Sequence, residues 1–258
     1  MPKYLIAFDL DGTLAESKSP IEDIMSTLLG ELLEKYQVCV ISGGKYEQFM
    51  TQLIDNLHVD RALLSRLHIM PTCGTRYMVY DPGGDSWAQV YAEDIPAVDK
   101  HRIIEIVNEG VDKLGYREKK TYGDTIEDRG SQITFSALGQ DIVETLGEDG
   151  VKLKKEWDPR SEKKQKLRDY IADRLSDYEV RVGGATSVDI TRPGIDKAYG
   201  MRKIEQALGL LDDDILFIGD ALFEGGNDYP VRAMGIDTVA VSGWQETAVA
   251  IETIIKMS

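Results

Sequence analysis

The stretch that most constrains this chain is Tyr4-Leu5-Ile6-Ala7-Phe8-Asp9-Leu10-Asp11-Gly12-Thr13-Leu14. Apolar and aromatic residues run without a polar interruption and stop at Asp9, as expected of a strand buried on both faces of a parallel sheet. Such strands deliver functional side chains at their carboxyl ends, where loops leave the sheet and a ligand can enter. Pleat geometry sends residues i and i+2 to one side, so Asp9 and Asp11 are expected to face one small volume. Gly12 permits a tight turn there, and Thr13 adds a hydroxyl and a backbone donor. Two carboxylates held so close repel unless a cation compensates, and a hard divalent cation such as Mg2+ prefers carboxylate oxygens and water. A calcium loop shares the Asp-x-Asp-Gly pattern. Here, however, Thr13 stands at its third acidic position and Pro20 where its bidentate Glu belongs. An isolated Asp-x-Asp is also common in solvated turns, so the rest of the chain has to decide.

Beyond this loop, apolar residues from Ile21 to Leu33 recur at helical spacing, which predicts an amphipathic helix. Val38-Cys39-Val40-Ile41 reads as a second buried strand ending in Ser42-Gly43-Gly44, whose hydroxyl and exposed backbone N–H groups suit an anion. A helix over 45–57 and a short strand at His68-Ile69-Met70 follow, and this alternation predicts a doubly wound sheet. After Asp81-Pro82-Gly83-Gly84 the pattern changes to hairpin-like pieces and polar helices. Trp87 to Tyr91, Ile133 to Ser136 and Glu179 to Val182 read as strands of a different sheet. The expected organisation is therefore a core of residues 1–82 and 185–258 with an insertion at 83–184. Its glycine pairs at 83–84 and 183–184 are expected to act as hinges. On the return, Ile195-Asp196-Lys197 opens a helix, and Ile215 to Ile218 is a strand ending in Gly219-Asp220. Gly225-Gly226-Asn227-Asp228 lies at the mouth of the same site.

A net charge of -15 spread along the chain argues against a nucleic-acid partner, which would demand a basic face. No apolar run approaches membrane-spanning length and no leader pattern opens the chain, so no membrane partner and a cytoplasmic location are expected. Cys39 and Cys73 suggest no disulfide framework, and His58, His68 and His101 lack metal-ligand spacing.

Separate segments thus supply Asp9 with Asp11, Ser42, Lys197, and Asp220 with Asn227-Asp228. In this order they resemble the four motifs of the haloacid dehalogenase (HAD) superfamily of Mg2+-dependent phosphotransferases. The insertion is similar to that of its large-cap subclass, which includes eukaryotic-type phosphomannomutases. The segments carrying this last likeness are Asp220 to Tyr229, Ser187-Val188-Asp189 with Gly194 to Lys197, and Arg129 with Ser136 and Gly139. The resemblance implies an α/β fold, a Rossmann-like doubly wound parallel core with an inserted α+β cap. It implies Asp9 as nucleophile and Asp11 as acid and base, with Ser42, the Gly43 backbone and Lys197 on the phosphoryl oxygens. Mg2+ is expected on Asp9, the Leu10 carbonyl, Asp11, Asp220, Asn227 and Asp228. Lys18, Arg129, Gln140, Ser187 and Asp189 are expected at the substrate, a small sugar phosphate, and a homodimer formed through the cap stays open.

Two departures bear on the reaction. Gln140 stands where the mutases carry a cap arginine, and Lys18 where an arginine follows the first motif. Both changes weaken bidentate phosphate clamping. Lys152, Lys154 and Lys155 could compensate, although a lysine-rich segment is usually solvated. A weaker distal clamp favours hydrolysis of an aspartyl phosphate, so the residues point to a sugar-phosphate phosphatase. A phosphomannomutase is the alternative, and a non-catalytic sugar-phosphate binding protein a distant one.

Overall fold

The alternation read from the sequence is present, and it builds two sheets. The computed structural model describes residues 3–257. In chain order the first segment gives β1 (Leu5–Phe8), α1 (Asp23–Lys35), β2 (Gln37–Ile41), α2 (Tyr46–Gln52), β3 (Leu67–Met70), β4 (Arg76–Asp81) and β5 (Ser86–Ala92). Then come α3 (Ala97–Lys113), β6 (Ile126–Asp128), β7 (Gln132–Ser136), α4 (Ile142–Leu146), α5 (Glu148–Trp157), α6 (Glu162–Ala172), β8 (Glu179–Val182) and β9 (Ser187–Thr191). The chain closes with α7 (Lys197–Leu208), β10 (Ile215–Gly219), α8 (Tyr229–Ala233), β11 (Asp237–Ala240) and α9 (Trp244–Met257). Among the described residues no helix is long and apolar enough to cross a membrane.

Two compact units result, one running to Ala92 and resuming at Ile195, the other Glu93–Gly194. The first holds a sheet of order β11-β10-β1-β2-β3-β4-β5, parallel from β11 to β3 and antiparallel across β4 and β5. Residues of β1 alternate between its faces. Ile6 and Phe8 pack with Met25, Leu29 and Leu32 of α1 and Ile251 of α9. Leu5 and Ala7 pack with Met201 and Ile204 of α7 and with Phe217 of β10. Burying a leucine, isoleucine, phenylalanine or methionine side chain in this way contributes about 1.5–3 kcal/mol. The second unit is an antiparallel sheet of order β6-β7-β9-β8, its apolar face closed by Ile103 and Val107 of α3 and Leu167 and Ile171 of α6.

Three expectations are corrected here. Trp87 to Tyr91 does not belong to the second sheet, because β5 pairs antiparallel with β4 at the edge of the first. Ser187 to Thr191, expected in the core, pairs with both β7 and β8. The crossings consequently fall at 92/93 and 194/195, about ten residues later than the glycine pairs expected to act as hinges. Those pairs close hairpins: Gly83 N–H donates to Asp81 Oδ1 in the β4–β5 turn, and Gly183 N–H to the Ser187 carbonyl between β8 and β9. A glycine pair reports a turn, and only the strand partners reveal to which sheet the turn belongs.

A buried histidine fastens β3 to its neighbours. His68 Nδ1 lies 2.7 Å from the Tyr77 hydroxyl and Nε2 2.9 Å from Gln37 Oε1, which fits a neutral ring accepting at Nδ1 and donating at Nε2. Burial pushes its pKa down to about 4. A folded value below the unfolded one makes this contribution whole above about pH 6.5 and progressively lost as pH falls toward 4. Unfolding free energy is therefore expected to drop by ~3 kcal/mol from this group across that window. Denaturant melts at pH 7 and pH 4.5 check it, and His68→Gln should flatten the slope. Equal slopes in both proteins would remove the assignment.

Candidate active site

Alternation along β1 settles where Asp9 points. It continues the parity of Leu5 and Ala7, toward the face covered by α7, whose first residue is Lys197. Lys197 Nζ lies 2.6 Å from Asp9 Oδ1 and 2.5 Å from Asp228 Oδ1, and none of the three side chains is more than 4% exposed. Asp228 also accepts from the Ala221 backbone N–H at 3.0 Å. The start of α7 is fixed by Asp196, whose side chain accepts from the Tyr199 N–H.

The helix reaches this position because two glycines meet. A Cβ on Gly74 would sit 2.4 Å from Gly200 Cα, and one on Gly200 would sit 2.3 Å from Ile41 Cδ1. Gly74 also has φ +82°. Gly74→Ala is expected to cost about 1–3 kcal/mol by overpacking and to displace Lys197. Denaturation of the variant checks the cost, and a change within error would show that the contact yields.

Three carboxylates crowd one ammonium. Burial alone would push Lys197 down, but Asp9 and Asp228 more than offset this and hold it well above the usual lysine value. Burial raises Asp9 to about 7 against the pull of Lys197, with Asp228 adding to the rise. Asp220 is raised by its own partial burial and by Asp228. Oxygens of Asp9, Asp220 and Asp228 lie within 4.8 Å of one another. Taken as ionised, the three acids and Lys197 sum to -3 + 1 = -2, the charge a divalent cation would neutralise. Gly12 completes the cradle: at φ +79°, a Cβ there would lie 2.6 Å from Asp220 Oδ2. The donor set fits Mg2+, which favours hard oxygen ligands.

Other expected site residues have different partners. The carboxylate of Asp11 is not part of the acidic triad. It accepts from Gln48 Nε2 and Gln52 Nε2 on α2 and from the Lys18 backbone N–H. The strand ends at Phe8, so the two-residue period that governs β1 no longer applies at Asp11. The carbonyl of Leu10 accepts from the N–H groups of Thr13, Leu14 and Ala15. Asn227 is exposed beside Asp228. Ser42 is buried, and its Oγ accepts from the Gly44 N–H at 3.2 Å, with Gly43 between them. Lys18 adopts φ +58°.

Arg129, Gln140, Ser187 and Asp189 all belong to the second unit. Asp189 is held by Thr134 Oγ1 at 2.8 Å and Gln132 Nε2 at 3.0 Å, and burial raises its pKa. Arg129 Nε lies 2.7 Å from Glu127 Oε2, and Gln140 Nε2 donates to the Thr134 carbonyl. Ser187 pairs with Ser136 across β7 and β9. Sequence reasoning missed Gln48, Gln52, Gln132 and Thr134. The two glutamines on α2 offered one signal, a polar pair at i and i+4 on an otherwise apolar-anchored helix.

A sheet whose parallel strands β1 and β10 lead into Asp9 and Asp220, met by Lys197 at the start of α7 and by Asp228 just before α8, with an α+β unit inserted, has the architecture of a haloacid dehalogenase-type enzyme. The model of the haloacid dehalogenase-like hydrolase family matches residues 6–230, and the chain belongs to that family. Among similar curated proteins, a phosphomannomutase of Encephalitozoon cuniculi is 24% identical over 245 residues, covering 89% of this chain and 84% of its own. A probable phosphomannomutase of Caenorhabditis elegans is 23% identical over 261 residues, covering 98% and 96%. Among solved structures, an N-terminally truncated Plasmodium falciparum IMP-nucleotidase superposes with TM-score 0.70 at 16% identity, over 100% of this chain and 71% of that one. A haloacid dehalogenase-like hydrolase from Bacteroides thetaiotaomicron gives TM-score 0.65 at 16% identity, over 99% and 100%. These structural likenesses speak to the fold.

Proposed function

We propose that the protein is a hexose-phosphate phosphotransferase of the phosphomannomutase type, working through a phosphoryl group carried on Asp9. The buried Asp9–Lys197–Asp228 chain beside Asp220 supports the chemistry most directly. Similarity to phosphomannomutases across 89% and 98% of the chain, cap unit included, supports the mutase over the phosphatase favoured by Gln140 and Lys18.

Asp9 attacks phosphorus, the new bond forms to its carboxylate oxygen, and the bond from phosphorus to the sugar oxygen breaks. Asp11 gives a proton to the departing sugar oxygen, then takes one from the hydroxyl that receives the phosphoryl group in the reverse step. Lys197 and the Ser42–Gly44 loop hold phosphoryl oxygens as their charge redistributes. Asp9, Asp220 and Asp228 would hold Mg2+, whose charge lets an anionic carboxylate approach an anionic phosphate. Arg129, Gln140, Ser187 and Asp189 of the cap unit read the sugar and its distal group.

The phosphatase reading keeps one observation in its favour, since Arg129 is already engaged by Glu127 within the cap unit. Phosphorus NMR on mannose 1-phosphate with Mg2+, with and without catalytic glucose 1,6-bisphosphate, separates the two. Mannose 6-phosphate formed only with the bisphosphate is the expected result. Inorganic phosphate released equally in both samples would overturn the mutase and restore the phosphatase.

A further inference from the structure

The helix that follows the Ser42 loop does more than support the sheet. Three hydrogen bonds hold the Asp11 carboxylate, two of them from α2. Oδ1 accepts from the Lys18 backbone N–H at 2.7 Å and from Gln52 Nε2 at 3.2 Å, while Oδ2 accepts from Gln48 Nε2 at 2.7 Å. Two of these donors are carboxamides one turn apart on α2.

Each amide is held in its orientation by a second constraint. Gln52 is buried, and its Nε2 also donates to the Ser19 carbonyl at 2.9 Å. Its Oε1 is buried without a hydrogen-bond partner. Turning the amide over would satisfy neither acceptor and would set a carbonyl oxygen against the Asp11 carboxylate, so the N–H side must face Asp11. Gln48 bridges two parts of the site. Its Nε2 reaches Asp11, and its Oε1 lies where a Cβ on Gly44 would be only 2.2 Å away. Any side chain at position 44 would displace the amide from Asp11.

We propose that Gln48 and Gln52 are positioning residues for Asp11. This inference rests on the phosphoryl-transfer reading of the site, with Asp11 as its acid and base.

The test exploits leaving groups. Departure of p-nitrophenolate needs no proton, whereas a sugar alkoxide does, so misplacing Asp11 should slow only the second. Gln48→Met is expected to lower kcat for mannose 1-phosphate by about 10²-fold, with KM nearly unchanged. The pre-steady-state burst of p-nitrophenolate from p-nitrophenyl phosphate should keep its wild-type rate. Gln48→Lys keeps an N–H donor of similar reach and should recover most of the loss. Gln48 is half-buried and its replacement leaves the buried Gln52 in place, so the result does not depend on whether Gln52→Met folds. A burst slowed by the same factor, or an unchanged kcat on the sugar phosphate, would overturn the proposal. A wild-type burst that survives Asp9→Asn would instead refute the phosphoryl-transfer reading, and the role of Asp11 with it.

Discussion

Asp9→Asn is expected to lower phosphoryl transfer by about 10⁴-fold or more while the protein stays folded. An amide cannot form the acyl phosphate, so the reaction loses its two-step route rather than one stabilising contact. Stability should hold for a separate reason. Asp9 is buried among like charges, and burial raises its pKa to about 7 even with Lys197 beside it. Removing that charge relieves the repulsion from Asp228, and Lys197 keeps Asp228 as its partner at 2.5 Å. The measurement is kcat beside the midpoint of a thermal melt. A variant that is inactive because it has unfolded would show that Asp9 is structural.

Lys197→Met is expected to have the largest effect on stability, ~3–5 kcal/mol, because it strands two buried carboxylates with no cation between them. Its side chain is 1% exposed, so water cannot replace the lost ammonium. Activity should fall as well, by about 10²–10³-fold, the usual effect of losing one group that stabilises transition-state charge. Two controls separate charge from packing. Adding Asp228→Asn to Lys197→Met should restore part of the stability, and Mg2+ should stabilise the single variant more than the wild type, since it would supply the missing positive charge. A urea midpoint close to wild type in Lys197→Met would show that the carboxylates are not ionised in the folded protein.

How far the sequence could be read depended on the range of the interactions involved. Uninterrupted apolar runs at Leu5 to Phe8, Val38 to Ile41 and Ile215 to Ile218 report burial on both faces, and these strands stand side by side in the sheet, none of them at its edge. Asp9, Lys197 and Asp228 were legible as candidates because each stands at a strand end or helix start in a recognised order. That Lys197 bridges the other two was not, because it depends on the Gly74–Gly200 contact between segments far apart in the chain. Period-two reasoning held along β1 and ended with it, since Asp11 lies three residues beyond the last paired residue, Phe8, and its carboxylate is held by Gln48, Gln52 and the Lys18 N–H instead. The unit boundaries were misplaced for a related cause. A turn signal such as Asp81 to Gly84 is local, whereas sheet membership is decided by partners elsewhere. In β9 the choice of β7 and β8 over the core strands leaves no mark in its own five residues.

The central claim is that Asp9 carries the phosphoryl group. Its most direct test is to mix the protein with Mg2+ and glucose 1,6-bisphosphate, quench in acid within milliseconds, and weigh the intact chain. The expected spectrum shows a fraction heavier by one phosphoryl group, mapped by peptide analysis to Asp9 and absent from Asp9→Asn. Turnover with no such species at any quench time, or an adduct mapped to another residue, would contradict the account.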